Sequence, residues 1–288
     1  MEVAPSLQWI DNHCHLEDDS ALSAVLEASA KAGVTQMVTV GTDAASSVAG
    51  LALAERHKQV WATAGLHPHD AAEGLDAVLQ VINANVENPK MVAIGECGLD
   101  YHYDHSPREI QRHVFAQQIA LAHEHDLPLV IHTRNAWDET FEILDAESIP
   151  KRTVFHCFTG GPAEAAACLE RNALLSISGI VTFPSAADVR EAVRIAPLDA
   201  LMVETDSPFL TPVPHRGTPN TPARVVLIGA EIAHLHEVGL SKVAQQTTAT
   251  ARRFYGLEAP GDGPEAPGDG LEAPGDGPEA PGDGLEAP

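Results

Sequence analysis

The chain has 288 residues, 44% of them hydrophobic, and a formal net charge of −24 from 17 Lys and Arg against 41 Asp and Glu. That length accommodates one α/β barrel of about 250 residues with a short extension, and no apolar run approaches the ~20 residues of a membrane span. The acidic balance argues against tight duplex binding, which rests on Lys and Arg neutralising phosphates. The N-terminus, MEVAPSLQWIDNH, has neither a basic nor an apolar leader region, so a cytoplasmic protein with no membrane association is expected.

Apolar, strand-like segments occur at 7–12, 34–41, 60–66, 91–95, 128–131, 153–155, 174–179 and 201–205, with helix-like segments in most of the gaps. Eight such units predict a single-domain α/β fold, a TIM (β/α)8 barrel of the metal-dependent hydrolase type, over residues 1–257. Several strands, LPLVIH and LLSISGIV among them, read as near-continuous apolar runs, as strands buried on both faces do. Before the fifth strand, Ser106-Pro107-Arg108-Glu109 has the pattern of a helix capping box, with Ser106 as N-cap and Pro107 at the first helical position. From Glu258 the chain repeats EAPGDGP and EAPGDGL, with five Glu, four Asp and no basic residue. Residues 258–288 are therefore read as a disordered acidic tail that cannot bury a core. Its partner, if it has one, cannot be named from the sequence. The remaining body still carries −15.

Five of the predicted strands end in side chains that bind divalent metals: His13 and His15, Glu96, His132, His156 and Asp206. Ligands spread over nearly 200 residues yet placed alike at strand ends converge only if the strands close on one axis. In extended backbone His13 and His15 face the same side. The pairs His123/His125 and His234/His236 fall in helical patterns, where such spacing points the two rings apart. Glu96 can give one oxygen to each of two cations, His132 and His156 complete the second ion, and Asp206 is placed to ligate the first and to take the proton of an attacking water. Glu96 and Asp206 are thus the expected catalytic pair, and two divalent ions (Mg, Mn or Zn) the expected cofactors.

Cys14, Cys97 and Cys157 each adjoin one of these residues and offer a rival thiolate set. Strand alternation makes the two sets exclusive, and no cysteine flanks His132 or Asp206. The four cysteines, Cys168 included, are expected to pack outward against the helices, with no disulfide-linked partner. Substrate contacts are assigned to His67 and His69, to Arg134, and to His215 and Arg216 in the loop after the eighth strand, where barrels often bind phosphate. Tyr101 to Asp104 either line the mouth, where an aromatic ring stacks on a base, or pack. Asn220 is an even choice between a helix cap and a site residue.

The strings DNHCHLE, GLHPH, AIGECGLDY, IHTRNA, HCFTGG, SISGIVTF and ETDSPFLTPVPHRGTPNTP resemble, in order from about residue 8 to 257, the signature of TatD-type metal-dependent deoxyribonucleases. The resemblance implies an amidohydrolase-like barrel, a bridging role for Glu96, and hydrolysis of phosphodiesters at nucleic-acid strand ends, often 3′→5′ on single strands. Glu17, Cys97, Thr133 and Asn135 depart from the family pattern, and none is a candidate ligand. The alternative is a two-metal hydrolase of another substrate class: a lactone, amide, phosphotriester or aminoacyl-tRNA ester.

Overall fold

The computed structural model describes residues 7–258. The tail reading falls, apart from its first residue, outside the described residues. Eight strands form one sheet: β1 (Trp9–Cys14), β2 (Val34–Thr39), β3 (Val60–Ala64), β4 (Met91–Asp100), β5 (Leu129–Arg134), β6 (Thr153–Phe155), β7 (Leu174–Ile177) and β8 (Leu201–Val203). Strands adjacent in sequence are adjacent and parallel in the sheet, from β1 through β8. The helices α1 (Leu22–Lys31), α2 (Ala44–Arg56), α3 (Asp76–Asn85), α4 (Arg108–Glu124), α5 (Trp137–Ala146), α6 (Pro162–Glu170), α7 (Ala187–Ile195), α8 (Val225–Leu235) and α9 (Leu240–Tyr255) alternate with them. This is the expected TIM barrel.

The seam between β8 and β1 is drawn together by a few specific bonds. Asp206 N donates to His13 O (3.0 Å), and His15 N to Ser207 O (2.8 Å). Asn12 Nδ2 donates to Val203 O (2.7 Å), and the buried Asp11 carboxylate accepts from Thr205 N (2.8 Å). Residues at the end of β1 and just beyond β8 are thereby held side by side.

Two apolar clusters divide the interior by strand parity. One lies between sheet and helices and contains Trp9, Cys14, Ile94, Cys97, Ile131 and Phe155. The other gathers residues of opposite parity, Ile10, Val38, Ala93, Val130, Val154 and Met202, with Phe254, Tyr255 and Leu257 at and beyond the end of α9. The second cluster plugs the barrel at the start of its strands. Fully burying an aliphatic or aromatic side chain of this size contributes about 1.5–3 kcal/mol. Tyr255 also carries its hydroxyl inward, donating to Asn12 O (3.1 Å).

The capping box expected at Ser106 is not formed. Helix α4 starts at Arg108 behind Pro107, with no side-chain cap. The Ser106 hydroxyl instead donates to His69 O (2.7 Å) and accepts from Ala72 N (3.0 Å). A polar side chain that sequence assigns to its own helix thus ties that helix to the loop after β3.

Candidate metal centre

Strand alternation delivers two of the candidate ligands directly. Val130 and Val154 point into the plug, so His132 and His156, two residues on, point into the barrel mouth, where Asp206, three residues past the end of β8, joins them. The first and fourth strands need an irregularity. In β1 the inward residues are Ile10 and then His13, an odd step that alternation forbids. The ladder with β2 takes up the extra residue as a bulge between Asp11 and Cys14. In β4 Ala93 is inward and Glu96 follows, again an odd step, with a bulge between Ile94 and Cys97. Each bulge turns a cysteine outward and a metal-binding type inward.

Glycine makes the β4 irregularity possible. Gly95, inside that bulge, has φ of +135°, and a Cβ there would meet the Val130 carbonyl oxygen at 2.6 Å. Asp206 itself adopts φ of +52°, off the regular strand.

Glu96 stands at the centre of the site. Its Oε2 lies 3.4 Å from His13 Nε2, while Oε1 lies 2.8 Å from His156 Nε2, 3.0 Å from His132 Nδ1 and 3.4 Å from His67 Nε2. On the other flank Asp206 Oδ1 is 3.3 Å from His15 Nε2 and 3.8 Å from His13 Nε2. Three sets of donor atoms lie within 4.8 Å of one another: His13, His15 and Asp206; His67, Glu96 and His132; His13, His156 and Glu204. The His13 and His156 rings stack at 3.8 Å.

The electrostatics favour charged carboxylates and divide the histidines. Burial pushes Glu96 upward, but His156, His67, His13 and His132 overcome it and hold its carboxyl well below the usual range. Asp206 is likewise held low against burial by His15, His13 and His156. Burial pushes His13 and His67 down, leaving their rings neutral. For His156 the neighbouring Glu96 and Glu204 outweigh burial and raise it.

These residues fit divalent metal ions. Both ring nitrogens of His13 and of His156 are buried without a hydrogen-bond partner, a costly state for polar atoms. Carboxylate oxygens do lie near them, at 3.4 and 2.8 Å, but out of line for an N–H donor. Lone pairs of two ligands directed at a common ion produce that relation. The mixed imidazole and carboxylate set suits zinc or manganese, and its carboxylates also suit magnesium.

Two participants escaped the sequence reading. Glu204, fully buried, accepts from Ser176 Oγ (2.5 Å) and Cys157 N (2.8 Å) and lies 3.3 Å from His156 Nδ1. Asp100 accepts at one oxygen from His132 Nε2 (3.0 Å) and His69 Nε2 (3.1 Å), and is held below the usual carboxylate range by those rings despite burial. The signal was present: Glu204 is two residues after the inward Met202, and Asp100 four after Glu96 on β4.

The other candidates are distributed unevenly. His67, His69 and Arg134 line the cavity with the central group. His215 and Arg216 are exposed on the loop after β8 and are not among the residues lining it. Arg216 donates to Thr211 O (2.9 Å) and lies over the Phe183 ring at 4.0 Å. Asn220 Nδ2 donates to Thr205 O (2.9 Å), which braces the Asp206 turn rather than capping a helix. All four cysteines are free. Cys14, Cys97 and Cys168 join the helix-facing cluster, but Cys157 does not, because its φ of +42° turns it to the cavity beside Ser178 Oγ at 3.4 Å. Neither His123/His125 nor His234/His236 lines the cavity.

Residues 10–256 match the family described as TatD-related DNase. The chain belongs to this family. It is 39% identical to the uncharacterized metal-dependent hydrolase YabD of Bacillus subtilis over 249 residues, which cover 85% of this chain and 98% of that protein. It is 37% identical to the 3′-5′ ssDNA/RNA exonuclease TatD of Erwinia tasmaniensis, covering 81% and 93%. The crystal structure of YjjV, a TatD homologue of Escherichia coli K12, matches with a TM-score of 0.82 at 29% identity, covering 88% and 99%. Membership in a family of metal-dependent hydrolases agrees with the donor set at the TatD-like barrel's mouth. Among the described residues no helix is long and apolar enough to cross a membrane.

Proposed function

We propose that this protein is a two-metal phosphodiesterase that removes nucleotides from the 3′ ends of single-stranded DNA or RNA. The observation that carries the reading is the Glu96 carboxylate, whose two oxygens face different histidines: Oε2 faces His13, and Oε1 faces His132 and His156. In this reading His13, His15 and Asp206 would hold one ion, His132 and His156 the other, and Glu96 would serve both. His67, on the same side of Glu96, is a further donor for the second site or for a phosphate oxygen. Magnesium, manganese or zinc there would acidify water and neutralise a phosphodiester.

The protein's own groups supply the rest. Asp206, ionised and partly open to the cavity, accepts the proton of the attacking water. Asp100 fixes the ring orientation of His132 through its hydrogen bond, as carboxylate partners of metal-bound histidines do, and Glu204 stands 3.3 Å from His156 Nδ1 in the corresponding place. Arg134 at the mouth meets a phosphate oxygen. The loop carrying His215 and Arg216 would reach substrate only beyond the cavity rim. The name of the Erwinia relative supports nucleic-acid ends as substrate, and four free cysteines suit action in the cytoplasm.

The test is cleavage of single-stranded oligonucleotides labelled at either end, by protein loaded with Mg²⁺, Mn²⁺ or Zn²⁺, with Asp206→Ala as blank. Stepwise shortening from the 3′ end, reduced about a thousandfold in the variant, is the expected result. Failure of the metal-loaded protein to cut any oligonucleotide would overturn the nuclease reading in favour of ester, lactone or aminoacyl-tRNA hydrolysis.

A further inference from the structure

The cavity of about 650 Å³ at the barrel mouth is poorly equipped to hold a polyanion by charge. Arg134 is the one Lys or Arg among its described lining residues, and Glu17 and Asp70 oppose it at the same rim. A body carrying −15 adds further repulsion. Within the cavity a nucleic-acid strand therefore finds a single basic side chain, and most of the usual phosphate contribution to affinity is missing there.

Two large rings occupy the rim instead. Tyr103 and Phe209 line the cavity and remain 54% and 59% exposed. They follow β4 and β8, which stand opposite each other when eight sequential strands close. Both are tied to acidic residues of the site, Tyr103 through a carboxylate and Phe209 through a backbone carbonyl. Tyr103 N donates to Asp100 Oδ1 (2.8 Å), and Phe209 N to Asp206 O (2.9 Å). Tyr103 meets the rings of His102, His69 and His105 at steep angles, with centroids 4.8, 5.4 and 5.5 Å away, and the Arg134 guanidinium lies over one of its faces at 4.8 Å, which leaves the opposite face for a base. Phe209 has its nearest ring neighbour, His15, at 6.0 Å.

The geometry points to Tyr103 and Phe209 as a pair of stacking platforms that grip the bases on either side of the scissile phosphate, one ring for each base. The assignment rests on the nuclease reading and specifies how its substrate is held. Only unpaired bases present free faces to such platforms, so the rings select single-stranded ends whatever their sequence, where a basic groove would select length. A paired terminus must open before it enters.

The experiment compares kcat/KM for a single-stranded oligonucleotide with natural 3′-terminal bases against one whose last two residues are abasic. It uses the metal-loaded wild type, Tyr103→Leu, Phe209→Leu, and the ring-retaining Tyr103→Trp and Phe209→Trp. Alanine-type loss of one base-stacking contact costs about 5- to 150-fold. The expected result is a wild-type preference for natural ends of at least that size. Either leucine variant reduces the preference through KM, and the tryptophan variants keep it. A preference in the leucine variants equal to that of the wild type overturns the proposal, as does a wild type indifferent to the terminal bases. A wild type that cuts neither oligonucleotide rejects the nuclease reading itself, an outcome visible before any variant is made.

Discussion

The two ends of the barrel are built from the same strands and obey different rules. At the start of the strands, Ile10, Val130, Val154 and Met202 meet Phe254 and Tyr255 in a dry plug. A few residues later the same strands bring His132, His156 and Asp206 to the wall of a cavity, with His13 fully buried behind it. One end gains stability from burying apolar area. The other concentrates histidines and carboxylates that, without metal, leave buried nitrogens unpartnered. Stability and chemistry are thus assigned to different layers of one core, as in barrels generally.

This division can be broken from either side. The largest effect belongs to the plug: Phe254→Ala is expected to destabilise the fold by about 3–5 kcal/mol in denaturant unfolding, with kcat of the surviving folded protein little changed. A comparable fall in kcat would mean that the plug and mouth are coupled.

The mouth responds to metal instead. Saturating metal, at a hundred times Kd, is expected to add about 2.7 kcal/mol per occupied site to unfolding stability, and the gain should depend on pH. In the metal-free fold His156, His15 and His132 are raised by their carboxylate neighbours against the effect of burial. Their proton-linked stability is therefore complete below the unfolded histidine pKa of about 6.5 and is lost as pH rises through the higher folded values. Metal binding requires those protons to leave. The difference in Tm between metal-loaded and metal-free protein should accordingly widen from pH 6 to pH 8. A difference independent of pH would remove these histidines from the binding site.

The smallest effect is expected at Cys157. Its thiol faces the cavity, and burial, with Asp206 and Glu204 nearby, keeps it protonated. Cys157→Ser should therefore change stability and metal affinity by less than about 1 kcal/mol. Cobalt-substituted protein should lack a thiolate absorption band, and its appearance would place sulfur among the ligands.

Sequence alternation alone sufficed for β5 and β6, where the ligand lies two residues beyond an apolar plug residue. In β1 and β4 it did not. Continuing inward from Ile10 or Ala93 in steps of two leads to Cys14 and Cys97. Only the bulges, at Asp11–Cys14 and Ile94–Cys97, bring His13 and Glu96 to the axis. The types of residue were legible, and the backbone irregularity that selects among them was not. Ser106 failed for a related reason: a capping pattern is local, and a distant partner, the loop after β3, outcompeted it. Cys157 escaped its expected packing because its backbone leaves the strand at φ of +42°. Glu204 and Asp100 were on the correct faces all along, and what sequence could not convey was that each meets a histidine from another strand.

The central claim is that one carboxylate serves two ions, and metal binding by wild type and Glu96→Gln tests it most directly. Titration of metal-free protein with Mn²⁺ or Zn²⁺, followed by calorimetry, should give two equivalents for the wild type. In Glu96→Gln both sites should weaken together by tenfold or more. A variant that loses one site and binds the other with unchanged affinity would contradict the bridge.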